Sequence, residues 1–158
     1  MPGLSNRFLQ KFLIKKCEHF LGVFSVDQIP PNLWKKSCCF IVNLDESTEP
    51  GSHFVAVYID RQNVLWYFDS YALSPLVFST HLVSFLSPWI KSGKIKMASP
   101  FPIQNFDSLF CGWFSAAFCL FVNVPFHPNH FFSLFDERDL LKNEKIIICM
   151  LKNLCKPK

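Results

Sequence analysis

Hydrophobic and polar positions change period several times along the chain, and each change marks an element. Behind Ser5, a residue type suited to capping, Phe8, Phe12, Leu13, Lys16 and Phe20 recur at three- and four-residue steps. That spacing predicts a first helix packed on the outside of the domain. Gly22 and then Pro30-Pro31 break the pattern, so residues 22–37 read as an irregular connection. Cys38 to Leu44 is a short β-rich run closed by the polar, turn-forming stretch 45–51. His53 to Ile59 and Val64 to Asp69 are two more such runs, joined by Asp60, Arg61, Gln62 and Asn63, which is a hairpin signal. Val55, Val57 and Ile59 fall on one face of this hairpin and Phe54, Ala56 and Tyr58 on the other, so the sheet needs a cover on both sides.

Further on, residues 75–91 become helical toward their end, Lys94 to Ala98 reads as a short strand, and Pro100 and Pro102 hold the chain extended as far as Gln104. From Cys111 to Val122 the chain is apolar on every side at helical spacing, which predicts a helix inside a core. Asp107 and Ser108 are cap-type residues just ahead of it. Residues 125–129 read as a loop and 131–135 fit no single type. Residues 136–154 read as a terminal helix carrying Leu140, Leu141, Ile147, Ile148 and Leu151.

A hairpin turning about Arg61 places His53 and Asp69, each eight residues from it, opposite one another on one face. Their Cβ atoms are then about 5 Å apart, within reach of an imidazole–carboxylate hydrogen bond. Cys111 falls in the first turn of the buried helix, where unpaired backbone N–H groups and the positive end of the helix dipole favour a thiolate. The order His53, Asp69, Gln104, Cys111 therefore contains the parts of a thiol acyl-transfer site. Cys111 is the nucleophile, His53 the base, Asp69 its orienting acceptor, and the Gln104 amide together with the Cys111 backbone N–H the oxyanion donors. Taken singly, each residue type is more often structural; it is their joint order that points to catalysis.

Composition narrows the class. At 158 residues, 50% hydrophobic and 18% charged, with 19 Phe, the chain suits one domain over 1–158 with a dense aromatic core. Its longest apolar run is shorter than a bilayer span, and Arg7, Lys11, Lys15 and Lys16 interrupt any candidate signal peptide, so neither a membrane span nor secretion is expected. The seven cysteines, at 17, 38, 39, 111, 119, 149 and 155, include no Cys-x-x-Cys pair, which argues against a disulfide framework and a thiolate zinc site and for a reducing compartment. His127 and His130 lie in a Pro-containing loop and read as surface, so no metal is expected. A net charge of +4, with Lys35/Lys36 and Lys91/Lys94/Lys96, permits nucleic-acid contact without requiring it.

Gly51-Ser52-His53-Phe54, Tyr67-Phe68-Asp69-Ser70-Tyr71 and Gln104-Asn105-Phe106-Asp107-Ser108-Leu109-Phe110-Cys111-Gly112 resemble the motifs of the adenovirus-type cysteine endopeptidases. His19-Phe20-Leu21-Gly22-Val23-Phe24 and Cys39-Phe40-Ile41-Val42-Asn43 resemble that family's N-terminal segment and first core strand, so the likeness spans residues 19–122. The resemblance implies an α+β fold of the adenain type, with a mixed central β-sheet flanked by helices, related to the proteases that remove ubiquitin-like modifiers. It implies a monomeric maturation protease, in the virion and the host-cell interior including the nucleus, that cuts viral capsid and core precursors near Gly-Gly or Gly-x-Gly. It also implies the same roles for Cys111, His53, Asp69 and Gln104, no cofactor for the chemistry itself, and stimulation by a viral peptide and by DNA.

Phe54 stands where adenoviral members usually carry Trp, which keeps an aromatic ring by the imidazole and loses an indole N–H. Residues 89–103 contain no cysteine, so covalent tethering of an activating peptide there is not expected. The five glycines, at 3, 22, 51, 93 and 112, form no Gly-Gly or Gly-x-Gly, so internal self-cleavage is not expected either. Two rival readings are a protease for ubiquitin-like modifiers ending in Gly-Gly and a non-enzymatic virion-associated binding module on the same fold.

Overall fold

The computed structural model describes residues 4–33 and 37–154; Lys35, Lys36 and Cys155 lie outside them. Five strands, β1 (Phe20–Ser25), β2 (Cys38–Asn43), β3 (Phe54–Ile59), β4 (Leu65–Phe68) and β5 (Ile95–Met97), form one sheet in chain order. The two central pairings, β2 with β3 and β3 with β4, are antiparallel, and the edge strands β1 and β5 run parallel to their neighbours. The sheet is therefore mixed and the fold is α+β.

β2, β3 and β4 are apolar on both faces, and each face is stable only under a cover. On one face Cys39, Ile41, Phe54, Ala56, Trp66 and Phe68 pack under α1 (Asn6–Leu13), α3 (Cys111–Val122) and α4 (Leu140–Leu154). On the other, Phe40, Val42, Val55, Val57, Ile59 and Tyr67 pack under α2 (Thr80–Lys91) through Leu82, Leu86 and Trp89. The α3 face is aromatic: Phe68 stacks on Phe118 with centroids 4.7 Å apart, and Phe131 meets both edge-on. Each such pair contributes about 1 kcal/mol beyond its buried area. Gly112 lets α3 approach the sheet, since a Cβ there would lie 3.3 Å from Phe54 and 3.3 Å from Leu4. Ser115 Oγ then bonds the Phe54 carbonyl at 3.1 Å, pinning the helix beside the start of β3.

Several boundaries differ from those the pattern suggested. Ser5 does cap α1, its Oγ accepting from the Phe8 amide at 3.2 Å, but the helix ends at Leu13 and buries Leu9 and Leu13, while Phe8 is exposed. Phe20 belongs to β1, so residues 22–37 are not wholly irregular: their first part is an edge strand. It pairs with β2 through backbone groups and holds Gly22 at φ +151°, so its regularity comes from the neighbouring strand and not from its own side-chain alternation. Residues Pro128–Leu134 form a 3-10 helix that buries Phe131 and Phe132, taking the last two residues of the expected loop and most of the ambiguous run after it, while residues 125–127 remain a loop. α4 starts at Leu140, buries Ile147 and Leu151 as expected, and leaves Leu141 exposed while burying Asn143.

Candidate active site

The turn between β3 and β4 decides the geometry of the site. Asp60 Oδ1 accepts from the amides of Gln62 and Val64, Asp60 Oδ2 accepts from Trp66 Nε1, and Asn63 adopts φ +61°. These ties make residues 60–64 a five-residue connection closed by the pair Ile59 and Leu65, so the hairpin turns about Gln62 and not Arg61. The register Ala56↔Phe68, extended outward, sets Tyr71 opposite His53 and leaves Asp69 diagonal to it. A displacement of two residues preserves the face. His53 Nε2 still reaches Asp69 Oδ1 at 2.9 Å, with the carboxylate fully buried and the imidazole 12% exposed.

Asp69 is held from several directions. Its Oδ1 also accepts from the Tyr71 amide at 2.9 Å, and its own amide donates to Ser99 Oγ at 3.0 Å. The approach to His53 is set by Gly51, at φ +86°, whose missing Cβ leaves room for the Asn43 side chain. Burial disfavours charge on His53, but the bonded Asp69 carboxylate and the neighbouring Cys111 thiol outweigh it and raise the imidazole pKa to about 9. His53 Nδ1 makes no hydrogen bond among the described residues.

Cys111 is the first residue of α3 and is buried, with Phe110 at the N-cap position making no side-chain cap. Asp107 and Ser108, suited by sequence to capping the helix or to tying the loop before it, do the second. Both lie in the loop ahead of it, where Ser108 Oγ accepts from the Phe110 amide at 3.3 Å and the Asp107 amide is tied to Asn105. Among the described residues the first backbone N–H groups of the helix therefore have no side-chain acceptor, and the Cys111 amide is among those first-turn donors.

Gln104 is fully buried beneath this loop. Its Oε1 accepts from Ser70 Oγ at 2.7 Å, and its Nε2 has three acceptors, the Ser108 carbonyl at 2.8 Å, the Tyr71 hydroxyl at 3.0 Å and Ser108 Oγ at 3.2 Å. Both amide hydrogens are thus engaged inside the protein. The Ile103 and Gln104 amides donate to the Ser70 carbonyl, tying this strand-like segment to the end of β4. On its other side Asn143 of α4 donates to the Ile103 carbonyl at 3.2 Å.

The structure brings His53, Asp69 and Cys111 to one end of the sheet and sets Gln104 behind them. It adds Tyr71, whose ring stacks on the His53 ring with centroids 4.8 Å apart and on Phe106 at 4.9 Å. A hairpin counted about Gln62 would have found Tyr71, since 62 − 53 and 71 − 62 are both nine. A cleft of about 260 Å³ opens at Cys111, lined by Leu4, Gly51, Phe54, Tyr71, Phe106 and Leu109 among others. A larger cavity of about 590 Å³ lies by the hairpin turn, between Arg61 and His127, and holds none of the four candidate residues. There His127 Nδ1 accepts from the Asn129 amide and caps the 3-10 helix, a structural use of that histidine. No helix among the described residues is long and apolar enough to cross a membrane. The chain matches no protein-family model and no curated protein sequence.

Proposed function

We propose that the chain is a cysteine endopeptidase of the adenain type, acting on viral capsid and core precursors near Gly-Gly or Gly-x-Gly during virion maturation. The observation that carries the reading is the split between the two nitrogens of His53: Nε2 is fixed on buried Asp69, and Nδ1, without a hydrogen-bond partner among the described residues, belongs to an imidazole that the neighbouring Cys111 thiol helps keep protonated. A base oriented through one nitrogen and free at the other is what thiol activation requires.

In the proposed reaction the proton of Cys111 passes to His53 Nδ1, and the thiolate adds to the scissile carbonyl carbon. The oxyanion takes the Cys111 backbone N–H, and Gln104 joins it by giving up one of its contacts to Tyr71 or Ser108. His53 then protonates the departing amine as the C–N bond breaks, leaving a thioester. Water, deprotonated by His53, cleaves the thioester to a carboxylic acid and restores the thiol. No metal or cofactor takes part in these steps. The cleft at Cys111 would take the precursor chain, with Phe106 and Leu109, both exposed, offering apolar contact beside the thiol. A viral peptide and DNA are proposed as activators on the resemblance alone, with the virion and the host nucleus as the place of action.

The test is cleavage of a Leu-x-Gly-Gly reporter and of a full-length precursor, with and without DNA, beside Cys111→Ala. Cysteine-dependent cleavage after glycine supports the reading; a Cys111→Ala chain as active as the parent would sink it.

A further inference from the structure

We propose that Tyr71 is the positioning residue of this site: its ring sets the plane of the His53 imidazole so that Nδ1 faces Cys111, and its hydroxyl holds Gln104. The inference rests on the reading of Cys111 and His53 as nucleophile and base.

His53 stands just before β3, and among the described residues its side chain has a single hydrogen bond, from Nε2 to Asp69. One bond fixes one nitrogen and leaves the ring free to turn about that contact. The remaining constraint is stacking. The Tyr71 ring lies against the imidazole at 4.8 Å and 24°, and is itself backed by Phe106 at 4.9 Å and 10°. Phe78 is the other ring near His53, but at 6.2 Å and 36° its contact is looser. Tyr71 also grips the acceptor, because its backbone amide donates to the same Asp69 oxygen that His53 uses. Its hydroxyl accepts from Gln104 Nε2 at 3.0 Å and donates to the Ser108 carbonyl at 3.3 Å. One residue therefore touches the base, the carboxylate and the amide behind the nucleophile.

The chemistry of the stack fits a base that is charged when the thiol is ionised. An aromatic face attracts an imidazolium through its quadrupole, and more strongly where water is excluded. Losing the ring weakens the support for a protonated His53 beside Cys111 in two ways, by removing that attraction and by letting the imidazole turn. Losing only the hydroxyl keeps both the attraction and the ring's orientation and releases one hydrogen of Gln104.

The experiment reads the thiol directly and needs no proteolysis. The rate of Cys111 alkylation by iodoacetamide is followed against pH by peptide mass spectrometry in the full chain, with a thermal melt on each variant. In Tyr71→Leu, which keeps the backbone amide and the apolar bulk, the acid limb of the profile is expected to move up by about one pH unit. Tyr71→Phe, which keeps the ring, restores the parental profile. Phe106→Ala, at an exposed position, removes the backing of the ring without opening the core and is expected to move the limb in the same direction by a smaller amount. An unmoved limb in both Tyr71→Leu and Phe106→Ala would overturn the positioning role, as would a Tyr71→Phe shift as large as that of Tyr71→Leu. His53→Gln separates the two levels: if it alkylates as the parent does, the nucleophile–base reading itself has failed and this inference falls with it.

Discussion

Nε2 of His53 and Oδ1 of Asp69 meet at 2.9 Å from diagonal positions of the β3–β4 pair, one partner wholly buried and the other nearly so. The contact favours the protonated imidazole, and together with the Cys111 thiol it raises the His53 pKa from 6.5 to about 9 against the opposing effect of burial.

A group whose pKa is raised by folding stabilises the fold below its unfolded pKa and loses that contribution as pH climbs through the folded value. The stability of this protein is therefore expected to fall between about pH 6.5 and about pH 9, by an amount on the order of 2 kcal/mol. Urea unfolding at both ends of this window measures it. The fall should vanish in His53→Gln and shrink in Cys111→Ala, where one of the two raising partners is gone.

Gly51→Ala is expected to destabilise the chain by about 2 kcal/mol, because φ +86° is strained for any residue with a Cβ and the new methyl would collide with Asn43 Nδ2. Asn43→Ala in the same chain removes the collision and leaves the backbone strain, so the melting temperature should recover only in part. A double variant no better than Gly51→Ala would show that the collision contributes nothing.

Asn143 is fully buried on α4, accepting from the Asp136 amide and donating to the carbonyls of Asp136 and Ile103. Asn143→Leu leaves three backbone groups without this partner, and a loss of about 3 kcal/mol in unfolding free energy is expected. Ile103 immediately precedes Gln104, so reporter cleavage should fall even at temperatures where the variant is folded.

The other thiols in the interior should be unreactive. Cys17 Sγ and Cys39 Sγ both donate to the Cys119 carbonyl, at 3.2 and 3.9 Å; the neighbouring Cys39 thiol and burial raise the Cys17 pKa, the neighbouring Cys119 thiol and burial raise that of Cys39, and burial raises that of Cys119. Iodoacetamide at pH 7.5 is expected to label Cys111 and the exposed Cys149 in the folded chain, and Cys17, Cys39 and Cys119 only after unfolding. Labelling of Cys39 at the Cys111 rate would contradict this ordering.

Local chemistry carries much of this protein. The apolar run from Cys111 to Val122 can only be a buried helix. The two-faced hairpin can only be a covered sheet. Each follows from side chains a few residues apart, and so does the placement of a thiol at a helix start. The choice of His53 and Asp69 as partners needed only their shared face, which survives an error of two in register because side chains alternate with period two.

What lies outside that range depended on contacts distant in sequence. The turn centre moved to Gln62 because Asp60 and Asn63 shape the connection, and that shift is what sets Tyr71 across from His53. β1 is a strand because β2 offers it backbone partners, and α1 stops at Leu13 although the apolar residues continue to Phe20. Gln104 is legible as an amide near a cysteine, but its four hydrogen-bond contacts come from Ser70, Tyr71 and Ser108, residues separated from it by as many as 34 positions. Side-chain pattern determines which residues are buried and on which face; only the packed chain decides which buried polar groups meet, because each must find its partners wherever the fold happens to bring them.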